Sequence, residues 1–183
     1  MKDAFKISTK TIVATGLGAA LFAVLFMFVK IPTGIPETQI QTAYGIGAFF
    51  AALFGPIAGA AIAFIGHAVS DSVQYGSAWW SWVVASGVSC FIVGLVMPKL
   101  HVEEGSFGKQ DVLLFQIIGN AIAWIVVAPV LDIVVYSEPV NLVFTQGVVA
   151  AISNAVSMGV IGSLLLLLYS KTKSSKGSLS TED

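Results

Sequence analysis

The chain has 183 residues, of which 56% are hydrophobic and only 10% charged, with a net charge of −1. Soluble domains carry roughly 25% charged residues, so a water-facing surface is excluded and an integral membrane protein is implied. The near-neutral charge argues against a nucleic-acid partner. There is no arginine, and Cys90, the single cysteine, lies in an apolar run, so no disulfide framework exists.

A membrane helix needs roughly 20 apolar residues to cross about 30 Å of hydrocarbon. Lys2, Lys6 and Lys10 precede an uncharged run from Thr11 to Val29, which fits a first crossing. It is longer than the apolar region of a cleaved signal and is followed by further membrane-type sequence. Residues 38–70 carry no full charge, too long a run for one helix. Gly55-Pro56 divides it, because glycine suits a helix end and proline a first turn. Helices are therefore expected over 40–54, short enough to be partly re-entrant, and 56–72. The fourth is expected over 79–97 and ends at Pro98-Lys99. PKLHVEEGSFGKQ, residues 98–110, reads as a polar loop. The fifth covers 111–135, with a kink at Pro129 near its end, and the sixth covers 141–169. The expected fold class is an all-α integral membrane protein, a six-transmembrane-helix bundle. Residues 1–170 form one membrane domain and 171–183 a disordered cytoplasmic tail.

Six crossings place both termini on one side. Eight of the nine lysines fall on that side, and Lys30 alone on the other. Lysine-rich ends face the cytoplasm, so both termini are expected there.

The outer stretches are KIPTGIPETQIQ, DSVQYGSAWWSW and YSEPVN. In the first, Glu37, Thr38, Gln39 and Gln41 supply polar groups on what is either a solvated connector or a lid. Trp79, Trp80 and Trp82 stand where a helix enters the bilayer, the place of interfacial aromatic anchors. Trp82 also leads a stripe with Ser86 and Ser89 at helical spacing. Such a face is expected to look into protein or a cavity. The fifth helix carries Gln116, Asn120 and Trp124, with Asp132 near its outer end; the sixth carries Gln146, Ser153, Asn154 and Ser157. Amides in hydrocarbon must meet each other, water or a ligand. Both interhelical bonding and a pocket remain open for Asn120 and Asn154, while Gln116 is read as structural. His67 and Asp71 share one helix face near the outer end and are candidates for ligand contact, gating or simple packing. A metal site is not expected, because His101 belongs to the opposite side and no third ligand has suitable spacing.

On the first helix Ala14 and Gly18, Gly16 and Ala20, and Ala19 and Ala23 stand four apart, which lets helix backbones approach closely. The spacing fits packing within the bundle or against another membrane protein. Taken with FGPIAGAAIAFIGH, TKTIVATGLGAALF, IPTGIPETQIQTAYG and DSVQYGSAWWSWVVASG, this layout resembles the substrate-binding S components of energy-coupling factor (ECF) transporters, over about residues 9–169. It looks most like a little-characterised subfamily of them. The resemblance implies a multi-pass protein of the bacterial plasma membrane, without enzymatic activity or cofactor. It implies an outward-facing pocket for a vitamin or precursor, made by helices four to six and capped by loop 30–41. Its expected residues are Trp82, Ser86, Asn120, Trp124 and Asn154, with Glu37, Gln39, Trp79, His67 and Asp71 around them. Ala14, Gly18, Ala19 and Ala23 would pack on a transmembrane coupling protein driven by two ATPase subunits. The chain has no P-loop of its own. Stacking indoles and amides suit a flat heteroaromatic ligand, a hydroxymethylpyrimidine or pyridoxine type before riboflavin or pantothenate. The absence of arginine disfavours acidic ligands. A self-contained secondary carrier or channel, a structural membrane subunit, and a membrane enzyme using His67 and Asp71 as an acid–base pair are the competing readings.

Overall fold

The computed structural model describes residues 2–100 and 108–178; His101 lies outside the described residues. Six apolar helices form the bundle. They are α1 (Thr9–Phe28), α2 (Ala43–Phe54), α3 (Pro56–Tyr75), α4 (Trp80–Lys99, its last turn of 3-10 type), α5 (Lys109–Tyr136) and α6 (residues 140–178). All but α2 are long and apolar enough to cross a membrane. Of the expected tail 171–183, residues 171–178 continue α6 as helix and 179–183 lie outside the described residues.

Ser8 caps α1, its hydroxyl accepting from the Thr11 amide at 3.2 Å, which satisfies one of the donors that every helix start leaves free. The helix buries Ala14, Gly18, Ala19, Phe22, Ala23 and Phe26. These residues meet α3 closely: a Cβ on Gly66 would lie 2.7 Å from Phe22 and 3.0 Å from the Ala19 carbonyl, and one on Gly18 would lie 2.7 Å from Ile62. The small residues expected to meet a coupling protein are thus spent on packing inside this chain. This inward turn has a simple cause. α1 carries small pairs on two faces, and i,i+4 spacing does not say which face turns inward. The outward face has Ile12, Val13, Gly16, Leu17, Ala20, Leu21 and Val24.

The α2–α3 turn rests on Gly55, whose φ of +89° is open to glycine, with Pro56 at the first helical position. A Cβ on Gly55 would sit 2.1 Å from the Ala4 carbonyl and 3.3 Å from Met97. The N-terminus, this turn and the end of α4 therefore share one end of the bundle. Leu166 and Tyr169 of α6 pack beside Ala52, Val96 and Val112 there, so the start of the described chain and the last helix meet at that end.

At the other end loop 30–41 is a hairpin rather than a coil or the first turn of α2. Strand β1 (Lys30–Pro32) pairs antiparallel with β2 (Gln39–Gln41) in the register Lys30–Gln41, Ile31–Ile40 and Pro32–Gln39. The tip turns at Gly34 (φ +82°) and Glu37 (φ +53°). Helix α2 has 12 residues, about 18 Å at 1.5 Å per residue, well under the hydrocarbon thickness. The hairpin leads into α2, with β2 lying along α6.

Wide π-type turns occur at Ile122–Val127 and Asp132–Tyr136 of α5 and at Met158–Gly162 of α6. Those of α5 flank Pro129, which cannot donate to the helix ladder. The expected disturbance at this proline is therefore spread over two turns on either side. α5 and α6 come together where a Cβ on Gly147 would lie 2.1 Å from the Trp124 carbonyl.

Candidate functional site

The start of α4 is organised around a carboxylate on another helix. Asp132, 1% exposed, accepts from the Trp79 indole at 2.7 Å and the Trp82 indole at 2.6 Å, and from the Ser81 hydroxyl. The backbone amide of Trp79 donates to Asp71 Oδ2 at 3.1 Å, and the Trp80 amide to the Tyr136 hydroxyl at 3.2 Å. Buried carboxylates need such partners. The three helices α3, α4 and α5 are tied together here. Trp79 remains 41% exposed and serves as rim anchor and hydrogen-bond donor at once.

Deeper in, Ser86 is fully buried, and its Oγ meets Tyr44 Oη at 2.7 Å, His67 Nδ1 at 2.6 Å and the Trp82 carbonyl at 2.9 Å. His67 Nε2 faces Asp71 Oδ1 at 3.4 Å. A hydroxyl has one proton and two lone pairs. Three close partners use all of them, and no surface of Ser86 is left for a substrate, which argues against a nucleophile. Phe26 covers the imidazole with ring centroids 4.3 Å apart.

The Trp82 and Trp124 rings stack at 5.6 Å with a 25° interplanar angle, and Tyr44 meets Trp124 edge-on at 5.3 Å. Trp124 donates its indole N–H to Asn120 Oδ1 at 2.9 Å. The Asn120 amide in turn donates to the Gln116 carbonyl at 2.8 Å and contacts Met158 Sδ at 3.2 Å. Gln116 Nε2 donates to the Met158 carbonyl at 3.2 Å, at the start of the wide turn of α6. Asn154, one turn before Met158, is 3% exposed and its Oδ1 has no partner; Gln41 Oε1 on β2 is likewise buried and unpartnered.

The hairpin is fastened to α6 at two levels. Gln146 Nε2 donates to the Pro36 carbonyl at 2.9 Å and Ser157 Oγ to the Thr42 carbonyl at 3.4 Å. Lys30 reaches across to Gln74 Oε1 at 2.7 Å. Glu37 is exposed at the tip, and Gln39 touches Gln41 at 3.4 Å.

The structure thus brings Trp79, Trp82, Ser86, His67 and Asp71 into one network, and joins Trp124 and Asn120 to it through the indole stack. Glu37 is not part of it. Two open surface grooves of about 280 and 390 Å³ lie elsewhere, between α5 and α6 around Gly159 and Ser163, and between α1 and α2 around Ala14 and Phe50. Sequence reasoning passed over Asp132 as a site residue, although an acid inside an apolar span is a functional candidate by default. It also passed over Tyr44, whose apolar neighbours on α2 disguise it.

A family model described as ECF-type riboflavin transporter, S component, matches residues 6–171. The chain belongs to the ECF S-component family. A UPF0397 protein of Exiguobacterium sp. (strain ATCC BAA-1283 / AT1b) is 53% identical over 178 residues, 96% of this chain and 97% of that protein. UPF0397 proteins of Lactobacillus acidophilus and of Staphylococcus aureus (strain MRSA252) are each 48% identical, covering 97% and 96% of this chain and 97% of each relative. This S component is a multi-pass protein of the bacterial plasma membrane, in a family of substrate-binding subunits of ECF importers rather than of enzymes. For an S component the arrangement has a clear chemical content: stacked indole faces, an amide edge beneath them and a hairpin fastened over the outer half of α6.

Proposed function

We propose that this S component captures a flat, single-ring heteroaromatic vitamin or precursor, of the hydroxymethylpyrimidine or pyridoxine type. The ligand would pass inward with the help of a transmembrane coupling protein and two ATPase subunits. The observation that carries the reading is the Trp82–Trp124 stack at 5.6 Å, next to Asn120 and within the outer half of the bundle. Indole faces bury large flat rings and hold them at a defined spacing. The ligand enters by parting the two rings, and Trp82, half-buried and at the start of its helix, is the one with room to move. Asn154 supplies an unspent acceptor to a ring edge, and the hairpin closes over the site.

Riboflavin is the second reading, favoured by the description of the matching family model. A three-ring system has to displace more of the fully buried set, Ser86, Trp124 and Asn120, than a single ring does.

The outward face of α1 is the surface offered to the coupling protein, centred on Gly16 and Ala20. A Cβ on Gly16 meets nothing within 4 Å, so a partner helix can approach there.

Titrating the purified protein with pyridoxine, hydroxymethylpyrimidine, thiamine, pantothenate and riboflavin, read by tryptophan fluorescence, tests the ligand. Saturable binding of a single-ring compound that Trp82→Ala abolishes is the expected result. Tight binding of riboflavin alone overturns the single-ring reading. Ligand uptake by liposomes holding only this chain overturns the dependence on partners.

A further inference from the structure

The polar groups around the indole stack are unbalanced in two ways. The first concerns charge. Among the described residues, the outer end of the bundle carries the carboxyl groups of Glu37, Asp71, Asp132 and Glu138 against the ammonium of Lys30, and the chain has no arginine. Lys30 is engaged with Gln74, and His67 faces Asp71. Asp132 is 1% exposed, yet its three donors are two indoles and a hydroxyl, all neutral. No lysine or histidine among the described residues donates to it.

The second concerns donors and acceptors. The indole N–H groups of Trp79, Trp82 and Trp124 are all spent on Asp132 and Asn120. Among the described residues, the buried side-chain atoms without a partner are the amide oxygens of Gln41, Gln116 and Asn154, which only accept, and the hydroxyls of Ser89 and Ser163. A carboxylate has room for about four hydrogen bonds; Asp132 Oδ1 takes two, and Oδ2 takes only Trp82. A buried carboxylate held by neutral donors attracts a cation strongly, because the surroundings screen it poorly. The ring beside it is tryptophan, the side chain with the strongest attraction for a cation over its face.

We infer that the ligand of this S component brings a positive charge. A protonated amine or ring nitrogen sits against Asp132 Oδ2 and the Trp82 indole face, and its remaining N–H groups meet acceptors of the Asn154 kind. The inference rests on the Trp82–Trp124 stack being the ligand site. It excludes carboxylates and sets neutral, carbonyl-rich rings at a disadvantage.

The experiment compares ligands alike in ring shape and different in charge. Purified full-length protein is titrated near neutral pH with pyridoxamine, whose aminomethyl group is protonated, and with pyridoxine, whose corresponding group is a neutral hydroxymethyl. The expected result is a preference for pyridoxamine of about tenfold or more, falling to about twofold in Asp132→Asn, where the charge is gone. Equal binding of the two by the wild-type protein, or stronger binding of pyridoxine or riboflavin, overturns the inference even if Asp132→Asn does not fold. In that case loss of binding in Trp82→Ala leaves the stack as the ligand site. Failure of every aromatic probe to bind overturns the site and the inference together.

Discussion

The indole nitrogen of Trp82 lies 2.6 Å from Asp132 Oδ2, and this bond ties the outer start of α4 to the outer end of α5. The same carboxylate holds Trp79 and Ser81. Asp132→Ala leaves three donors without their acceptor, Ser81 buried, Trp82 half-buried and Trp79 at the rim. At about 1 kcal/mol or more for each, the variant is expected to lose roughly 3 kcal/mol of stability. Thermal unfolding in detergent measures this, and an unchanged midpoint removes the carboxylate from its structural role.

Ser86 is the junction between Tyr44 and His67. Ser86→Ala is expected to cost about 1–3 kcal/mol, because it strands a phenol and an imidazole nitrogen together. Tyr44→Phe removes a donor and its need at once and should cost about 1 kcal/mol. The double variant should lose less than the sum of the two. Strict additivity in unfolding midpoints shows that the two groups are not coupled.

Two glycines to alanine separate packing from partnership. A Cβ on Gly147 would stand 2.1 Å from the Trp124 carbonyl, a backbone atom with little freedom to yield. Gly147→Ala therefore forces α5 and α6 apart, at a cost of about 3 kcal/mol or more, and should abolish ligand binding. Gly16→Ala meets nothing within 4 Å. It is expected to fold and bind ligand like the parent and to lower uptake with the ECF partners several-fold. Normal uptake by Gly16→Ala places the coupling surface elsewhere.

The hairpin tip is held to α6 through Gln146 Nε2 and the Pro36 carbonyl at 2.9 Å. Gln146→Leu removes that clasp while leaving the indole stack intact. Loss of one such bond, about 1 kcal/mol, corresponds to ligand release faster by roughly three- to tenfold. Stopped-flow fluorescence reads the rate. An unchanged rate means the tip does not govern release.

The bundle was largely legible because apolar run lengths, Gly55-Pro56 and the lysine distribution each carry their physics locally. Helix limits moved by a few residues, except at the end of α6, which runs on from the expected 169 to 178. The hairpin was not legible: IPTGIPETQIQ alternates poorly, and its tip is held by Gln146 of α6, more than a hundred residues away. The inward turn of Ala19 and Ala23 was illegible for a related reason. Spacing of four gives a face, and only the partner helix gives its direction. Within the candidate site, helical spacing placed Trp82 and Ser86 together and Asn120 beside Trp124. The dominant partner of the tryptophans was in view as Asp132, but the bond joins positions fifty residues apart, and nothing in a single chain of letters pairs them.

A hairpin placed directly before the twelve-residue helix α2 is restricted in how it can move. Strand edges carry free backbone amides and carbonyls that hydrocarbon cannot satisfy. The hairpin can therefore not swing sideways among the lipid chains. On the reading proposed above, in which the hairpin closes over the ligand site, it would lift toward the external water, and the bilayer itself would keep the doorway from opening on its flank.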